Sequence, residues 1–246
     1  MRNRNRQYAR RGAGLIAGAI FALAGATSAS AGAVNLSAWT ATPGGNWTVA
    51  ADQNSVFQSV NGAPTIFYSN APSQGLALSG TITVETTGDD DFIGFVLGYG
   101  PEDTVAGTTD FILIDWKQTT QNYFGVAPAG LAISRVTAPL GDNATTWSHI
   151  AGNGVTELAR ANTLGSTGWV DNQTYTFELT FTDSLIEVYV NDVLELSVIG
   201  SFSDGGFGFY NYSQASVRYA GITEDVLPPP DGQVPIPGAM ALMLSG

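Results

Sequence analysis

The stretch TYTFELTFTDSLIEVYVNDVLELSV, residues 174–198, contains three short runs in which every second residue is apolar. Alternation with a period of two places one face of a β-strand in a core and the other face toward water. The pairs Thr182-Asp183 and Asn191-Asp192 separate the runs, and residues of these types favour tight turns. We therefore predict a meander of three antiparallel strands, formed by residues 174–181, 184–190 and 193–198.

The chain on the N-terminal side of this meander has the same character. Residues 81–85 alternate cleanly, whereas residues 92–99 and 111–116 are more continuously apolar, as is typical of strands at the centre of a sandwich. Between residues 32 and 225 no long stretch has a helical period. Regular short strands separated by Gly, Asn, Asp and Pro predict an all-β, antiparallel, two-sheet sandwich.

The N-terminus has the three parts of a secretory signal peptide. Arginines are followed by an apolar stretch from Leu15 to Leu23 and by small residues that end at Ala31. An uncleaved membrane anchor is the alternative, but this apolar stretch is short for a bilayer span. We predict that residues 1–31 are a signal peptide and that the protein is secreted, or extracellular at the cell surface.

Charge and cysteine content limit the classes of partner. Without residues 1–31 the chain keeps four of its nine Lys and Arg residues and all 21 Asp and Glu residues, which gives a net charge of −17. Such a chain is not suited to the phosphates of nucleic acids or to anionic lipid, and its natural partners are cations. No cysteine is present, so stability comes from packing or from metal.

The composition changes at Val226. Residues 226–233 are Pro-rich and predict an extended linker. Residues 234–246, which begin VPIPGA, resemble the start of a bacterial C-terminal sorting signal of the PEP-CTERM class in its VPLPA form, without the full apolar span and final arginine cluster. The segment is a truncated or degenerate sorting signal or, alternatively, a disordered terminus, and any membrane association would depend on this incomplete anchor.

Five segments follow one another in an order that is specific as a set, although each is weak by itself. They are GDDDFIGFVLGY (88–99), FILIDWKQ (111–118), GLAISRV (130–136), GW (168–169) and GFGFYNYSQ (206–214). In this order they resemble the thrombospondin C-terminal domain. The likeness spans roughly residues 34–225 and implies a lectin-like (concanavalin A-like) jelly roll for a domain over residues 32–225. The aspartate-rich repeats and cysteines that precede this domain in animal thrombospondins are absent, so receptor roles are not expected.

Three adjacent aspartates, Asp89, Asp90 and Asp91, stand immediately before the apolar run at 92–99. Crowded carboxylates repel one another, and hard oxygen ligands of this kind suit Ca²⁺. The resemblance also implies calcium binding in this region. Other loops must complete the coordination shell, and Asp204 is our candidate. The alternative is a solvated acidic turn that discourages edge-to-edge aggregation.

Catalytic machinery is sparse in the sequence. Glycosidases need paired carboxylates on one face, but Glu178, Glu187 and Glu195 lie singly on successive strands and are expected to face outward. His149, the single histidine, is expected at a rim or strand surface, because nothing nearby in the sequence completes a triad. Some aromatic residues could stack on sugar rings but more often pack in a core. These residues are Trp39, Trp47, Trp116, Trp147, Trp169, Tyr123 and Tyr210.

The expected function is therefore that of a secreted, calcium-binding, noncatalytic module. It would act in adhesion or in association with a matrix component or extracellular polysaccharide. The alternative is a polysaccharide-active enzyme, a glycosidase or lyase, on a lectin-like sandwich.

Overall fold

The computed structural model describes residues 31–228. The predicted signal peptide, apart from Ala31, and the predicted sorting segment lie outside the described residues, as does most of the linker. The strands are β1 Gly32–Ala33, β2 Thr40–Ala41, β3 Trp47–Val49, β4 Val56–Gln58, β5 Thr65–Tyr68, β6 Leu76–Val84, β7 Phe92–Tyr99, β8 Phe111–Lys117, β9 Gln121–Asn122, β10 Val126–Ala127, β11 Gly130–Val136, β12 Val155–Arg160, β13 Thr174–Phe181, β14 Leu185–Val190, β15 Val193–Ile199, β16 Gly206–Tyr212 and β17 Val217–Val226. One α-helix, α1 (Ala144–Ser148), and three 3-10 turns (Leu36–Ala38, Pro101–Thr104 and Ala151–Asn153) complete the elements.

Two antiparallel sheets form the domain, so the predicted all-β jelly-roll sandwich is confirmed. Sheet 1 has the order β15-β14-β13-β6-β17-β4-β3, with β1 also on β17. Sheet 2 has the order β12-β11-β8-β7-β16-β5-β2, and β9 and β10 form a separate hairpin. No helix among residues 31–228 is long and apolar enough to cross a membrane.

The predicted meander is confirmed at one edge of sheet 1, where β13, β14 and β15 are successive neighbours. In β13 the buried and exposed residues alternate as predicted, with Phe177, Leu179 and Phe181 in the core. Asn191 and Asp192, between β14 and β15, both have positive φ angles of 49° and 63°. This is the backbone of a two-residue hairpin turn whose twist matches the strands.

Glu195 departs from the alternation of the meander and corrects the expectation that it faces outward. Its relative exposure is 2%, and its carboxylate accepts hydrogen bonds from the backbone N–H groups of Thr163 (2.8 Å) and Leu164 (3.1 Å). The register between β14 and β15 shifts at this point: Val188 of β14 lies opposite Leu196, but the next residue, Tyr189, lies opposite Leu194, so Glu195 has no partner residue on β14. A bulge adds a residue to one strand and redirects its side chain, which a period-two pattern does not predict.

The main core lies between the two sheets, and a second apolar cluster covers the outer face of sheet 2. Trp147 of α1 and Ala127 of β10 lie over this outer face and pack with Phe92 and Tyr212 from the sheet. Covering both faces explains why β7 is buried along its whole length and has a continuously apolar sequence. The covering segment also encloses a cavity against the sheet.

Candidate functional site

The three aspartates lie on the loop between β6 and β7, at the end of sheet 2 where β7 begins. Backbone contacts fix the loop at Asp91, whose N–H donates to Gln214 Oε1 (3.0 Å). The carbonyl oxygen of Asp91 accepts from Trp169 Nε1 (3.1 Å). Asp90 is held in turn because its carbonyl oxygen accepts from the N–H of Gln118 (3.2 Å), just beyond β8.

The structure brings the carboxylates of Asp89, Asp90 and Asp91 together. One oxygen from each lies within 4.8 Å of the others. Asn61 donates to Asp89, and both Thr119 and Gln121 donate to Asp90. The site is therefore surrounded by hydroxyl and amide groups, each of which carries an oxygen that rotation of the side chain can present. An all-oxygen set of this kind fits Ca²⁺, which accepts six to eight oxygens in flexible geometry.

Electrostatics at the cluster favour a bound cation. Partial burial of the carboxyl, and then the neighbouring charge of Asp91, raise the pKa of Asp89 to about 6. Both causes oppose a negative charge on Asp89, and a divalent ion among the three carboxylates would reverse the second of them. The cluster thus has the properties of carboxylates that gain stability from metal.

Lys117 neutralises part of the cluster, which the sequence did not indicate. Its ammonium lies 2.5 Å from Asp91 Oδ1, with side-chain exposures of 1% and 7% for the two residues. The ammonium also lies 4.8 Å from the ring centre of Phe92 and 4.6 Å from that of Trp147. Pairing of Phe92 with Lys117 between β7 and β8 brings this cation to the aspartates. Among residues 31–228, no Lys or Arg side chain forms an ion pair with the carboxylate of Asp89 or of Asp90.

Asp204 does not join the cluster, so its assignment as a further ligand was wrong. In the pairing of β16 with β7, Tyr212 lies opposite Phe92, beside the aspartates. Gly206, which is near Asp204, lies opposite Tyr99 at the other end of the two strands. Seven residues of β-strand separate the two ends by about 20 Å. The Oδ1 atom of Asp204 instead accepts from the N–H groups of Ser73 (3.1 Å) and Gln74 (3.1 Å).

The side chain of His149 is largely enclosed, with 11% exposure, which corrects its expected position at a rim or strand surface. Its Nε2 lies 3.0 Å from Asp115 Oδ2, and its Nδ1 lies 3.4 Å from Ser134 Oγ. Burial is the largest single influence and lowers the pKa of His149, but the proximity of Asp115 and the charge of Glu157 together outweigh it and raise the pKa above its ordinary value. Ser134 is fully buried within β11, so these three residues do not form an accessible nucleophilic site.

A cavity of about 250 Å³ lies beside His149, between the outer face of sheet 2, the β9–β10 hairpin and α1. Its buried wall includes Asp115, Ala132 and Trp147, and its exposed lining residues are Pro128 and Glu157. Sequence reasoning missed this cavity because its walls come from strands and a helix that are distant in sequence. Of the seven aromatic residues considered for sugar stacking, only Tyr123 is exposed, at 69%.

Comparison with known proteins gives the same fold and one sequence family. A sequence model of the thrombospondin C-terminal region matches residues 42–225. Thrombospondin-3b of Danio rerio is 32% identical over 83 residues, which are 34% of this chain and 8% of that protein. Cartilage oligomeric matrix protein of Homo sapiens is 24% identical over 199 residues, which cover 72% of this chain and 25% of that protein.

The chain thus corresponds to a quarter or less of the length of these two relatives. Among solved structures, the carbohydrate binding module CBM66 of Bacillus subtilis superposes with a TM-score of 0.53 at 13% identity. The superposition covers 78% of this chain and 97% of the module. At this identity the likeness shows a shared fold.

Proposed function

The chain belongs to the thrombospondin C-terminal family, and we propose that it is a secreted, calcium-binding, noncatalytic module of a bacterial cell envelope or exopolysaccharide. The observation that carries the proposal is the convergence of Asp89, Asp90 and Asp91 within the region that the family covers. Carboxylates gathered within 4.8 Å and surrounded by other oxygen-bearing side chains are ligands of the type that Ca²⁺ requires.

Association with a matrix component or an extracellular polysaccharide is the role that best suits such a module. One relative is named as a matrix protein, and the superposed Bacillus subtilis module is named as carbohydrate binding. The strongly acidic composition argues against nucleic acid as a partner. Calcium held at the aspartates would also reduce the repulsion between this protein and acidic polysaccharide.

Export is proposed from the N-terminal part of the chain, where residues 1–31 would direct secretion. Residues 234–246 resemble a sorting signal and are the part of the chain that would take part in attachment at the envelope. Both segments lie outside the described residues, apart from Ala31.

Isothermal titration of the exported protein with CaCl₂ tests the metal site, with MgCl₂ as the comparison. The sharpest variant is Asp89→Asn with Asp90→Asn, because it removes two charges and leaves the buried pair of Asp91 and Lys117 intact. The matched control is Asp183→Asn, which changes an exposed aspartate in the turn between β13 and β14. The double variant should lose most of the calcium binding, and the control should keep it.

Thermal unfolding gives a second readout of the same site. An ion that binds only the folded state stabilises it by about 2.7 kcal/mol at a hundredfold excess over Kd. The wild type should therefore show a saturable rise in melting temperature that the double variant lacks. Equal and unsaturable shifts in both proteins would indicate a solvated acidic turn and refute the calcium site.

A polysaccharide-active enzyme is the second candidate, because two carboxyl-bearing residues, Asp115 and Glu157, line one cavity. Paired carboxylates are what glycoside hydrolysis requires. Incubation with a panel of polysaccharides, followed by measurement of reducing ends and of unsaturated lyase products, separates the candidates. Release that is lost in Glu157→Gln would establish an enzyme, whereas binding without release supports the noncatalytic module.

A further inference from the structure

Four buried side-chain polar atoms have no hydrogen-bond partner in the part of the chain that the structure describes, and all four belong to residues lining one cavity. They are Asp115 Oδ1, Trp147 Nε1, Ser148 Oγ and His149 Nε2. His149 Nε2 has an ion-pair partner in Asp115 Oδ2 at 3.0 Å, so the other three atoms are the ones without any polar partner. Buried polar groups are nearly always paired, so three such atoms at one cavity indicate a missing partner.

The cavity has the form of a small binding site. Buried Asp115, Ala132 and Trp147 form its inner wall, while exposed Pro128 and Glu157 lie where it meets solvent. Arg160 is anchored at this end by hydrogen bonds to the carbonyl oxygens of Ala129 (2.9 Å) and Gly165 (2.6 Å). A volume of about 250 Å³ lies just below the usual range for drug-sized ligands, so it suits a single small molecule.

The unpartnered atoms specify a ligand that both donates and accepts hydrogen bonds. The indole N–H of Trp147 only donates, and the carboxylate of Asp115 only accepts. The hydroxyl of Ser148 does both. An anion would satisfy Trp147 but would be repelled by Asp115, and a cation would leave Trp147 unpaired. Hydroxyl groups satisfy both kinds of atom.

Aromatic and apolar surface distinguishes the cavity from a simple pocket for water. Phe92 and Trp147 line it, with ring centres 5.3 Å apart and planes at 85°. Tyr123, which is 69% exposed, packs edge-on against Trp147 with its ring centre 5.4 Å away. Tyr123 thus continues the aromatic cluster around Trp147 to the protein surface, and aromatic faces suit the C–H faces of a sugar ring.

We propose that this cavity binds one neutral, hydroxyl-rich ligand of monosaccharide size, either free or as the terminal residue of a longer glycan. The inference rests on the proposed function in one respect: the cavity would be the place where the proposed association with a glycan occurs. It does not depend on calcium, because the unpartnered atoms lie on β8 and on α1 rather than on the aspartate loop.

Titration calorimetry and saturation-transfer NMR with neutral hexoses, pentoses, N-acetylhexosamines and inositol test the proposal, with uronic acids as the charged comparison. Oligosaccharides that carry the best sugar at either end distinguish a free ligand from a terminal residue. Ser148→Ala removes one unpartnered hydroxyl and should weaken binding about threefold to tenfold. The same change should leave the melting temperature unchanged or higher, because no hydrogen bond within the protein is lost.

Ala132→Leu places a larger side chain in the cavity and should weaken binding at least tenfold. Its matched control is Thr104→Leu, which enlarges a residue in the other cavity on the same face of sheet 2 and should bind as the wild type does. Asp89→Asn with Asp90→Asn should also bind the sugar normally, so loss of the calcium site and loss of this site are read separately. Absence of binding by every neutral sugar at tens of millimolar, or equal weakening by Ala132→Leu and Thr104→Leu, would overturn the proposal.

Discussion

Replacement of Lys117 by methionine should lower the stability of the metal-free protein and at the same time strengthen calcium binding. Lys117 has 1% side-chain exposure and its ammonium lies 2.5 Å from Asp91 Oδ1. Methionine keeps most of the side-chain volume but leaves the 7%-exposed carboxylate of Asp91 without its cation. Loss of one partner of a buried ion pair typically costs about 3–5 kcal/mol of unfolding free energy. For a domain of this size, that loss lowers the melting temperature by roughly 6–20 °C.

Calcium affinity should change in the opposite direction. An ion among the aspartates would lie within about 5 Å of the Lys117 ammonium, where one pair of unit charges is worth about 3 kcal/mol at an effective dielectric constant near 20. The half-buried positions of Asp89 and Asp90 admit solvent that screens this repulsion. We therefore expect Lys117→Met to bind Ca²⁺ about tenfold to a hundredfold more tightly. Saturating calcium should then restore much of the lost melting temperature.

Calorimetric titration with CaCl₂ and thermal unfolding with and without the metal measure both effects. The matched control is Lys117→Met combined with Asp91→Asn, which removes both charges of the pair. This double variant should recover stability relative to Lys117→Met without tighter calcium binding, because no third carboxylate is freed. If Lys117→Met binds calcium no more tightly than the wild type, the ion does not share the carboxylate of Asp91 and the reasoning fails.

Three further predictions concern other parts of the chain. The pKa of His149 is higher in the folded protein than its ordinary value of about 6.5 in the unfolded chain. The ion pair of His149 with Asp115 therefore stabilises the fold fully below pH ~6.5. This stabilisation is lost as the pH rises through the folded-state pKa of His149. The difference in unfolding free energy between the wild type and His149→Asn should therefore be largest near pH ~6 and fall above pH ~6.5. Chemical denaturation at a series of pH values measures this difference, and a difference that does not change with pH would contradict the ion pair. Gly168→Ala should destabilise the fold by more than about 3 kcal/mol, because an added Cβ would lie 1.8 Å from the carbonyl oxygen of Gln118. A folded variant with an unchanged urea midpoint would show that the backbone of Gln118 does not lie this close to Gly168. N-terminal sequencing of the exported protein should begin at Gly32 or within a few residues, and an intact Met1 in the secreted fraction would refute cleavage.

The local sequence was sufficient to predict the fold class. In residues 174–198 the period of two specifies which side chains enter the core, and the turn residues Asn191 and Asp192 specify where the chain reverses. Both signals depend on neighbours within a few residues, so the meander followed from the sequence alone. Adjacency in the sequence also placed Asp89, Asp90 and Asp91 on one loop, and the structure brings one carboxylate oxygen of each within 4.8 Å of the others.

Register between distant strands decided the rest of the candidate site. Pairing of β7 with β8 brings Lys117 to Asp91, and pairing of β16 with β7 carries Asp204 to the opposite end of the sheet. A bulge between β14 and β15 turned Glu195 inward. Packing of α1 over sheet 2 largely enclosed His149 and formed the cavity beside it. The register of two strands depends on many small interactions along their whole length. A shift of one residue would move every side chain of a strand to the opposite face of the sheet, so these positions depend on the complete tertiary structure.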